Sequence, residues 1–289
     1  MSLSLKPAWL NKKVNLKACL EMKGFLRHAR LETVCEQAMC PNIGECFSRR
    51  QATFLILGRH CTRGCSFCNI AKGLPSAPEP DEPARVADAV ARLSLRHVVI
   101  TSVTRDDLPD GGAGVFVDTV LSIRKRCAHA IIETLIPDFK LEPDAIAAVA
   151  GVPVDIVAHN IETVSALYRL VRQGSDYLRS LGVLEAIKKI SPHLKTKSGL
   201  MLGLGETRRE VVTAMQDLRL AGCDFLSLGQ YLAPSRQHYP VKEYVTIEQF
   251  AEYKRMALGV GFLHVESGPY VRSSYLAGEY LKDGKIGQE

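Results

Sequence analysis

The chain has 289 residues, of which 46% are hydrophobic and 24% are charged, a composition typical of a globular domain and unlike that of a disordered chain. No run of about 18 uncharged apolar residues is present, so a membrane span is not expected. The formal net charge is +6, but the basic residues are spread along the chain without interleaved aromatic residues, so nucleic-acid binding is not expected either. The first residues lack the apolar core of a secretory signal, and we expect a cytoplasmic protein.

The hydrophobic pattern alternates between strand and helix periodicity from Thr53 onward. The predicted elements, in chain order, are a strand at 53–57, a helix at 85–95, a strand at 97–103, a helix at 115–127, a strand at 130–136, a helix at 142–150, a strand at 155–161, helices at 165–172 and 176–190, a strand at 198–204, a helix at 208–221, a strand at 225–230 and a helix near 247–258. Six β–α units in series predict an α/β fold with a parallel sheet, either open or rolled into a partial barrel.

Three parts of the chain follow from this array. Residues 51–232 form the predicted β–α core, residues 1–50 an N-terminal extension and residues 233–289 a C-terminal extension. Ligands of parallel α/β folds bind at the carboxyl ends of the strands, so the loop after the first strand is a candidate site.

Nine cysteines are present, and six of them lie between Cys35 and Cys68. An odd number of cysteines without an export signal argues against a disulfide framework. The six clustered cysteines form two triads, which have the spacings Cys35-x4-Cys40-x5-Cys46 and Cys61-x3-Cys65-x2-Cys68. The three isolated cysteines are expected to be small buried residues, and they are Cys19, Cys127 and Cys223.

Neither triad has the spacing of a zinc site, which usually joins a Cys-x2-Cys pair to a second pair well downstream. Three closely spaced thiolates suit a four-iron cluster in which the fourth iron is left open or takes a distant ligand. The second triad also carries Phe67 directly before Cys68. In this form it resembles the fingerprint of radical S-adenosylmethionine (SAM) enzymes, in which the open iron binds the amine and carboxylate of SAM.

The pair of triads extends the resemblance to lipoyl synthases, which combine both spacings and end with the motif Arg272-Ser-Ser-Tyr275. Two positions depart from the family pattern, Phe47 in place of a common Trp and Arg59-His60 in place of a small or acidic pair, and neither is expected to touch a ligand. Further segments similar to the family occur in family order at 6–10, 101–112, 132–133, 137–139, 159–163, 203–206 and 229–232.

The resemblance implies a partial (β/α)6 barrel of parallel strands whose N- and C-terminal extensions carry an auxiliary iron–sulfur cluster. It implies two 4Fe-4S clusters and SAM as cofactors. Cys61, Cys65 and Cys68 are the expected ligands of the SAM-binding cluster, and Cys35, Cys40, Cys46 and one serine those of the auxiliary cluster. Ser274 is favoured over Ser273 as that serine. The residues expected to contact the cofactor are Phe67, Glu133, Asn160 and Arg172.

The implied reaction is the insertion of two sulfur atoms at C6 and C8 of an octanoyl chain bound to a lysine of a carrier domain. Radicals derived from SAM would remove the two hydrogen atoms, and the auxiliary cluster would supply the sulfur. The expected partners are the octanoylated lipoyl carrier domain, an electron donor such as ferredoxin or flavodoxin, and an iron–sulfur cluster carrier, and the enzyme is expected to be a monomer.

Two other functions fit parts of the sequence. Another two-cluster radical SAM enzyme, of a methylthio-transferring or dehydrogenase type, is one alternative, but Ser274 and the motif at Arg272–Tyr275 argue against it. A non-catalytic iron–sulfur electron carrier would not need six β–α units. For Ser273 and Ser274, the alternative is an ordinary polar tail, and Arg105, Asp106 and Asp107 fit a salt-bridged loop with no catalytic role.

Overall fold

A computed structural model describes residues 7, 10, 15–49, 51–275, 280 and 281. Most of the segment 6–10, one of those similar to the family, therefore lies outside the described residues. Within the described residues, the strands are β1 (Glu32–Thr33), β2 (Thr53–Ile56), β3 (His60–Cys61), β4 (Ala71–Lys72), β5 (His97–Ser102), β6 (Ile131–Leu135), β7 (Ile156–Ala158), β8 (Lys195–Leu202), β9 (Phe225–Gln230) and β10 (His264–Gly268).

Helices follow most of the strands and cover the outside of the sheet. They are α1 (Leu16–His28), α2 (Val34–Gln37), α3 (Ile43–Ser48), α4 (Glu82–Leu93), α5 (Ala113–Arg126), α6 (Pro143–Ala150), α7 (Tyr168–Val171), α8 (Tyr177–Ile190), α9 (Arg208–Leu220) and α10 (Ile247–Val260). Several boundaries are set by local sequence. Thr207 and Glu210 form a reciprocal capping box at the start of α9, and Gly261 ends α10 in the left-handed conformation.

Among the described residues, the main sheet has eight strands in the order β1-β2-β5-β6-β7-β8-β9-β10. Every neighbouring pair from β2 to β10 is parallel, and only β1 pairs in the antiparallel sense, with β2. The α/β fold of the prediction, a partial barrel of parallel strands with helices outside, is confirmed. The six predicted strands are all present, and β10 adds a seventh parallel strand that the sequence reading missed.

Side chains alternate between the two faces of the sheet. Val98, Ile100 and Ile132 belong to the apolar core under the helices. Their neighbours Thr101 and Glu133 are buried on the opposite, inner face. Because successive side chains of a strand point to opposite faces, the barrel has an apolar outer layer and a partly polar interior.

Both extensions join the sheet at its edges. The N-terminal extension contributes β1 beside β2, and the C-terminal extension contributes β10 beside β9. The division of the chain at residues 50 and 232 therefore stays a prediction, since hydrogen bonds of one sheet run across both boundaries.

A buried ion pair and an aromatic ring lie inside the barrel, toward the amino-terminal ends of its strands. Both carboxylate oxygens of Glu133 accept hydrogen bonds from Lys197 Nζ, at 3.0 and 3.1 Å, and both side chains are fully buried. The ring of Tyr280 covers the Lys197 ammonium at 3.8 Å and contacts Phe225 and His264. Phe225 and His264 are the first residues of their strands, so Tyr280 closes the amino-terminal end of the barrel.

In the part of the chain that the structure describes, no helix combines the length and the apolar character that a membrane span requires.

The ion pair inside the barrel predicts a specific pattern of stability. Lys197→Met leaves the Glu133 carboxylate buried without its main partner, and should lower the free energy of unfolding by about 3 kcal/mol. The double variant Glu133→Gln/Lys197→Met removes both charges and should recover most of that loss. Unfolding in urea, followed by circular dichroism, measures both values.

Lys189→Met is the control, because its pair with Glu185 is exposed and such pairs contribute about 0.5 kcal/mol or less. A Lys197→Met variant as stable as this control would contradict the prediction.

Candidate iron–sulfur centres

The second triad lies in the loop that follows β2, at the carboxyl end of the parallel strands. The chain turns sharply after β2, where Leu57 and Gly58 both have positive φ angles, and then enters β3. Cys61 is the last residue of β3, and the backbone N–H groups of Arg63 and Thr104 both point at its sulfur, each at 3.4 Å. These donors suit a thiolate that bears negative charge.

Arg63 ties this loop to the next two strands. Its guanidinium forms two hydrogen bonds to Asp106 (2.7 and 2.9 Å) and two to Asp138 (2.8 and 2.7 Å). Although burial opposes the shift, the bond from Arg63 lowers the pKa of Asp138 to about 2. The loop is thereby fixed to the segments after β5 and β6. The sequence reading gave Arg63 and Asp138 no role.

The other side of the loop is held by backbone hydrogen bonds and one aromatic ring. The N–H of Ser66 donates to the carbonyl of Val171 at 2.9 Å, and the carbonyl of Ser66 accepts from Tyr239 at 2.9 Å. Phe67 is partly buried against an apolar cluster that includes Val171 and Tyr231. The structure thus shows Phe67 packing beneath the loop, and its contact with the cofactor stays a prediction.

Arg172 and Asn160 lie near the second triad. Arg172 donates to the Tyr168 hydroxyl and to Ser180, and its positive charge opposes the burial that raises the pKa of Cys65. Asn160 donates through Nδ2 to Glu162 Oε1 at 3.0 Å. These two predicted side chains therefore sit at the same end of the barrel as the loop.

Glu162 is a residue that the sequence reading did not single out. Its side chain is partly buried, its backbone has φ of +63°, and desolvation raises its pKa while the Arg172 charge opposes that shift. A partly buried carboxylate on a strained backbone next to a proposed cluster is a functional candidate. The feature of the sequence that could have indicated Glu162 is its position, four residues after the end of β7.

Glu133 does not join this group. Its carboxylate is in the buried ion pair with Lys197, and His97 Nε2 lies 3.5 Å from it. The Lys197 charge lowers the pKa of Glu133 although burial opposes the shift. His97 begins β5, so Glu133 lies toward the amino-terminal end of the barrel, and a cofactor contact for it stays a prediction.

The first triad is spread over two short helices of the N-terminal extension. Cys35 lies in α2, Cys40 in the turn that follows and Cys46 in α3. The Thr33 hydroxyl caps α2 by accepting the Glu36 N–H at 3.3 Å. Burial raises the pKa of the Cys35 thiol to about 12, the charge of Cys40 adds to this shift, and hydrogen bonds from Thr53 oppose it.

The C-terminal segment, residues 270–275, packs against the part of the chain that carries the first triad. Asn42 Nδ2 donates to the carbonyl of Tyr270 at 2.6 Å, and the Tyr275 hydroxyl donates to Glu45 at 3.3 Å. Burial lowers the pKa of the Arg272 guanidinium while a Cys40 thiolate opposes that shift, so these two groups are also close. The segment crosses the barrel beside Gly229, where a Cβ atom would lie 2.1 Å from the carbonyl oxygen of Val271.

The two serines of the motif face different sites. The Thr53 hydroxyl donates to Ser274 Oγ at 2.7 Å, and the same threonine is a hydrogen-bond partner of Cys35. Ser273 instead donates to Asn160 Oδ1 at 3.1 Å. Ser274 therefore lies with the first triad, whereas Ser273 faces the residues near the second.

The described thiol groups are not arranged as a site for a single metal ion. Among the described residues, no three His, Cys, Asp or Glu side chains converge closely enough to hold one ion. A four-iron cluster has another requirement, because each thiolate binds a different iron. Burial raises the pKa of Cys68 to about 12, so the free thiol is neutral and a bound metal must displace its proton.

Comparison with known proteins identifies the family. A model of the radical SAM superfamily matches residues 55–218. The lipoyl synthase of Geotalea uraniireducens (strain Rf4) is 58% identical over 284 residues, which cover 98% of this chain and 100% of the relative. The chain belongs to the lipoyl synthase family. The lipoyl synthase of Caldanaerobacter subterraneus subsp. tengcongensis is 50% identical and covers 94% of this chain and 95% of its own length.

Solved structures agree in fold. Streptococcus suis SuiB bound to its precursor peptide SuiA covers 78% of this chain and 52% of its own, with a TM-score of 0.58 and 10% identity. Methylornithine synthase (PylB) covers 89% and 79%, with a TM-score of 0.53 and 13% identity. Such low identities concern the fold alone. Membership of the family confirms the predicted enzyme class, a radical SAM enzyme that uses a 4Fe-4S cluster and SAM.

A buried histidine near the second triad predicts a pH dependence of stability. His159 Nδ1 lies 2.8 Å from the carbonyl of Ile136, and burial together with the Arg172 charge lowers its pKa from 6.5 to about 4. Below about pH 6.5 the unfolded chain therefore binds a proton that the folded chain does not. The free energy of unfolding should fall by about 1.4 kcal/mol per pH unit between pH 6.5 and 4 from this group.

Denaturant unfolding at several pH values in this range tests the prediction. In His159→Gln, the free energy of unfolding should no longer show this part of its dependence on pH. His193→Gln, at an exposed position, should retain the dependence. Equal slopes in His159→Gln and the wild type would show that His159 does not titrate in this way.

Proposed function

We propose that the protein inserts two sulfur atoms, at C6 and C8, into an octanoyl chain carried by a lysine of a lipoyl carrier domain. Cys61, Cys65 and Cys68 are the proposed ligands of the cluster that binds SAM. Cys35, Cys40, Cys46 and Ser274 are the proposed ligands of a second cluster. When bound, these groups supply the reductive cleavage of SAM and the sulfur atoms, while the chain supplies their ligands and their placement.

One observation carries the proposal for the second cluster. Ser274 and Cys35 share Thr53 as a hydrogen-bond partner, although Ser274 is 221 residues from Thr53 in the sequence. The fold thus brings the Ser274 hydroxyl to the same threonine that contacts the buried Cys35. This placement supports Ser274 over Ser273 as the fourth ligand.

The cofactor-facing residues are proposed from the surroundings of the second triad. Arg172 supplies a positive charge beside Cys65, and Asn160 and Glu162 supply polar groups at the same end of the barrel. Arg63 is a positioning residue, since it fixes the cluster loop to Asp106 and Asp138. A SAM molecule carries an amine, a carboxylate and a sulfonium, and these polar groups suit its recognition.

The partners are proposed from the reaction. The octanoylated carrier domain is the substrate, a ferredoxin or flavodoxin supplies electrons, and an iron–sulfur carrier restores the second cluster after its sulfur is consumed. The net charge of +6 suits an acidic partner protein. A cytoplasmic location is part of the same proposal.

The two triads should have separable roles. Anaerobically reconstituted protein should hold about eight irons, and Cys35→Ala and Cys61→Ala should each lose about half. Replacing Cys35, Cys40 and Cys46 by alanine should spare the cleavage of SAM but abolish sulfur transfer, whereas Cys65→Ala should abolish both. Iron analysis and mass spectrometry of an octanoyl-lysyl peptide measure these outcomes.

Cys127→Ala is the control, because it lies outside both triads and should keep the full iron content. Unchanged iron in Cys35→Ala or Cys61→Ala would mean that the corresponding triad has been misassigned.

The serine ligand predicts a second, sharper difference. Iron in such clusters is held more tightly by thiolate than by alkoxide. Ser274→Cys should therefore keep the second cluster but stall the reaction, leaving peptide with one sulfur. Ser273→Cys faces Asn160 instead and should convert the peptide fully. Mass spectrometry distinguishes unmodified, singly thiolated and doubly thiolated peptide.

If Ser273→Cys stalls and Ser274→Cys does not, the ligand is Ser273. If both variants react at the wild-type rate, neither serine holds iron.

A further inference from the structure

The loop of the second triad contacts the N-terminal extension on both sides of its cysteines. Asn69 directly follows Cys68, and its Nδ2 donates to the carbonyl of Gln37 at 2.8 Å. Arg59 precedes Cys61 by two residues and donates through Nε to Glu32 Oε1 at 2.7 Å, with a second bond from Nη2 to the same oxygen.

The two contacts are joined within the N-terminal extension. Gln37 Nε2 donates to Glu32 Oε2 at 2.6 Å, so both oxygens of this carboxylate are engaged. The donor and acceptor directions are fixed by chemistry, because a carbonyl and a carboxylate only accept hydrogen bonds, and an amide nitrogen must face each of them. Arg59, Glu32, Gln37 and Asn69 therefore form one continuous series of contacts, which we call the clamp.

The position of the clamp relates it to both triads. Gln37 is the last residue of α2, two residues after Cys35 and three before Cys40. Asn69 and Arg59 flank the segment that contains Cys61, Cys65 and Cys68. The backbone connection between the two regions is otherwise short, since β1 pairs with β2 over only two residues, Glu32 and Thr33. A two-residue ladder at a sheet edge holds its partner weakly.

Sulfur transfer requires an accurate separation of the two centres. The carbon that loses hydrogen near the second triad must then meet sulfur near the first. A misplacement of about 1 Å between reacting groups can cost on the order of a hundredfold in rate. Contacts that set the distance between the two loops therefore bear directly on the reaction.

We propose that Arg59, Glu32, Gln37 and Asn69 are positioning residues that set the separation of the two cluster loops. This inference rests on the proposed function, since it assumes that both triads hold clusters. It also gives a role to Arg59, a position at which the sequence departs from the family pattern.

Two measurements on the iron-loaded protein test the clamp, with Asn69→Ala and Arg59→Gln as the variants. The first is hydrogen exchange of the amides at 38–40, which donate to the carbonyls of Val34, Glu36 and Cys35. Loss of the Asn69 bond should raise their exchange rate about tenfold, because the end of α2 is released. The second is the number of 5′-deoxyadenosine molecules formed per sulfur inserted, which should rise several-fold while SAM is still cleaved.

A matched control is available in Arg208→Gln. Arg208 is 62% exposed and pairs with Glu252, whereas Arg59 is 65% exposed and pairs with Glu32. The control should leave both measurements at wild-type values, and Arg59→Lys, which keeps the charge, should restore part of the loss seen in Arg59→Gln.

The outcomes separate the clamp from the proposed function. Wild-type exchange at 38–40 in Asn69→Ala overturns the clamp, whatever the clusters do. Faster exchange with an unchanged ratio of deoxyadenosine to sulfur overturns the positioning role. Failure of the proposed function would appear elsewhere, as unchanged iron content in Cys35→Ala or Cys61→Ala.

Discussion

The arrangement of the molecule depends on one long-range crossing, in which the C-terminal segment passes over the inner face of the barrel to reach the N-terminal extension. The hydroxyls of Ser274 and Thr53 are 2.7 Å apart across 221 residues of sequence. The crossing is possible only because Gly229 lacks a side chain where the carbonyl of Val271 passes. The two extensions are therefore brought into contact, although they are opposite ends of the chain.

The second constraint is that buried charges need partners, and at both ends of the barrel they are paired with side chains of opposite charge. At the carboxyl end, Arg63 meets Asp106 and Asp138, and each carboxylate receives two hydrogen bonds from it. Near the amino end, Lys197 meets both oxygens of Glu133. Isolated buried charges are strongly unfavourable, so each of these groups fixes its partner and with it the strand or loop that carries the partner.

The sequence predicted the regular part of the fold well because strand and helix periodicity is a local property. The strand Phe225–Gln230 has the predicted bounds, and α9 differs from its prediction by one residue. The strand β10 was missed, because His264, Glu266 and Ser267 are polar residues that resemble a loop. His264 and Glu266 are compatible with a strand because their side chains border the polar interior of the barrel, and Ser267 because its hydroxyl, on the other face, donates to the carbonyl of Phe250 in α10. That interior is a property of the whole sheet and cannot be read from five residues.

Only those features of the candidate site that have a local sequence signal could be predicted. The spacing of the cysteines indicates cluster chemistry, because thiolates close in sequence bind one cluster. Arg63, Thr53 and Glu162 carry no such local signal, since their partners Asp138, Cys35 and Arg172 are brought to them by the fold. The cofactor contact expected for Glu133 followed from the family resemblance and stays a prediction, and the structure shows that this side chain pairs with Lys197.

The choice of a serine as the proposed fourth ligand is consistent with how its segment is held. On one side, β10 pairs with β9 over five residues, and on the other, the ring of Tyr280 is buried against Lys197 and Phe225. The segment is thus anchored by packing and hydrogen bonds at both of its ends. A bond from Ser274 to iron would not be needed to keep the segment in place. The proposed ligand can therefore be a weak one, which would suit the proposed cluster if it gives up iron together with its sulfur, because the structure around it does not depend on that bond.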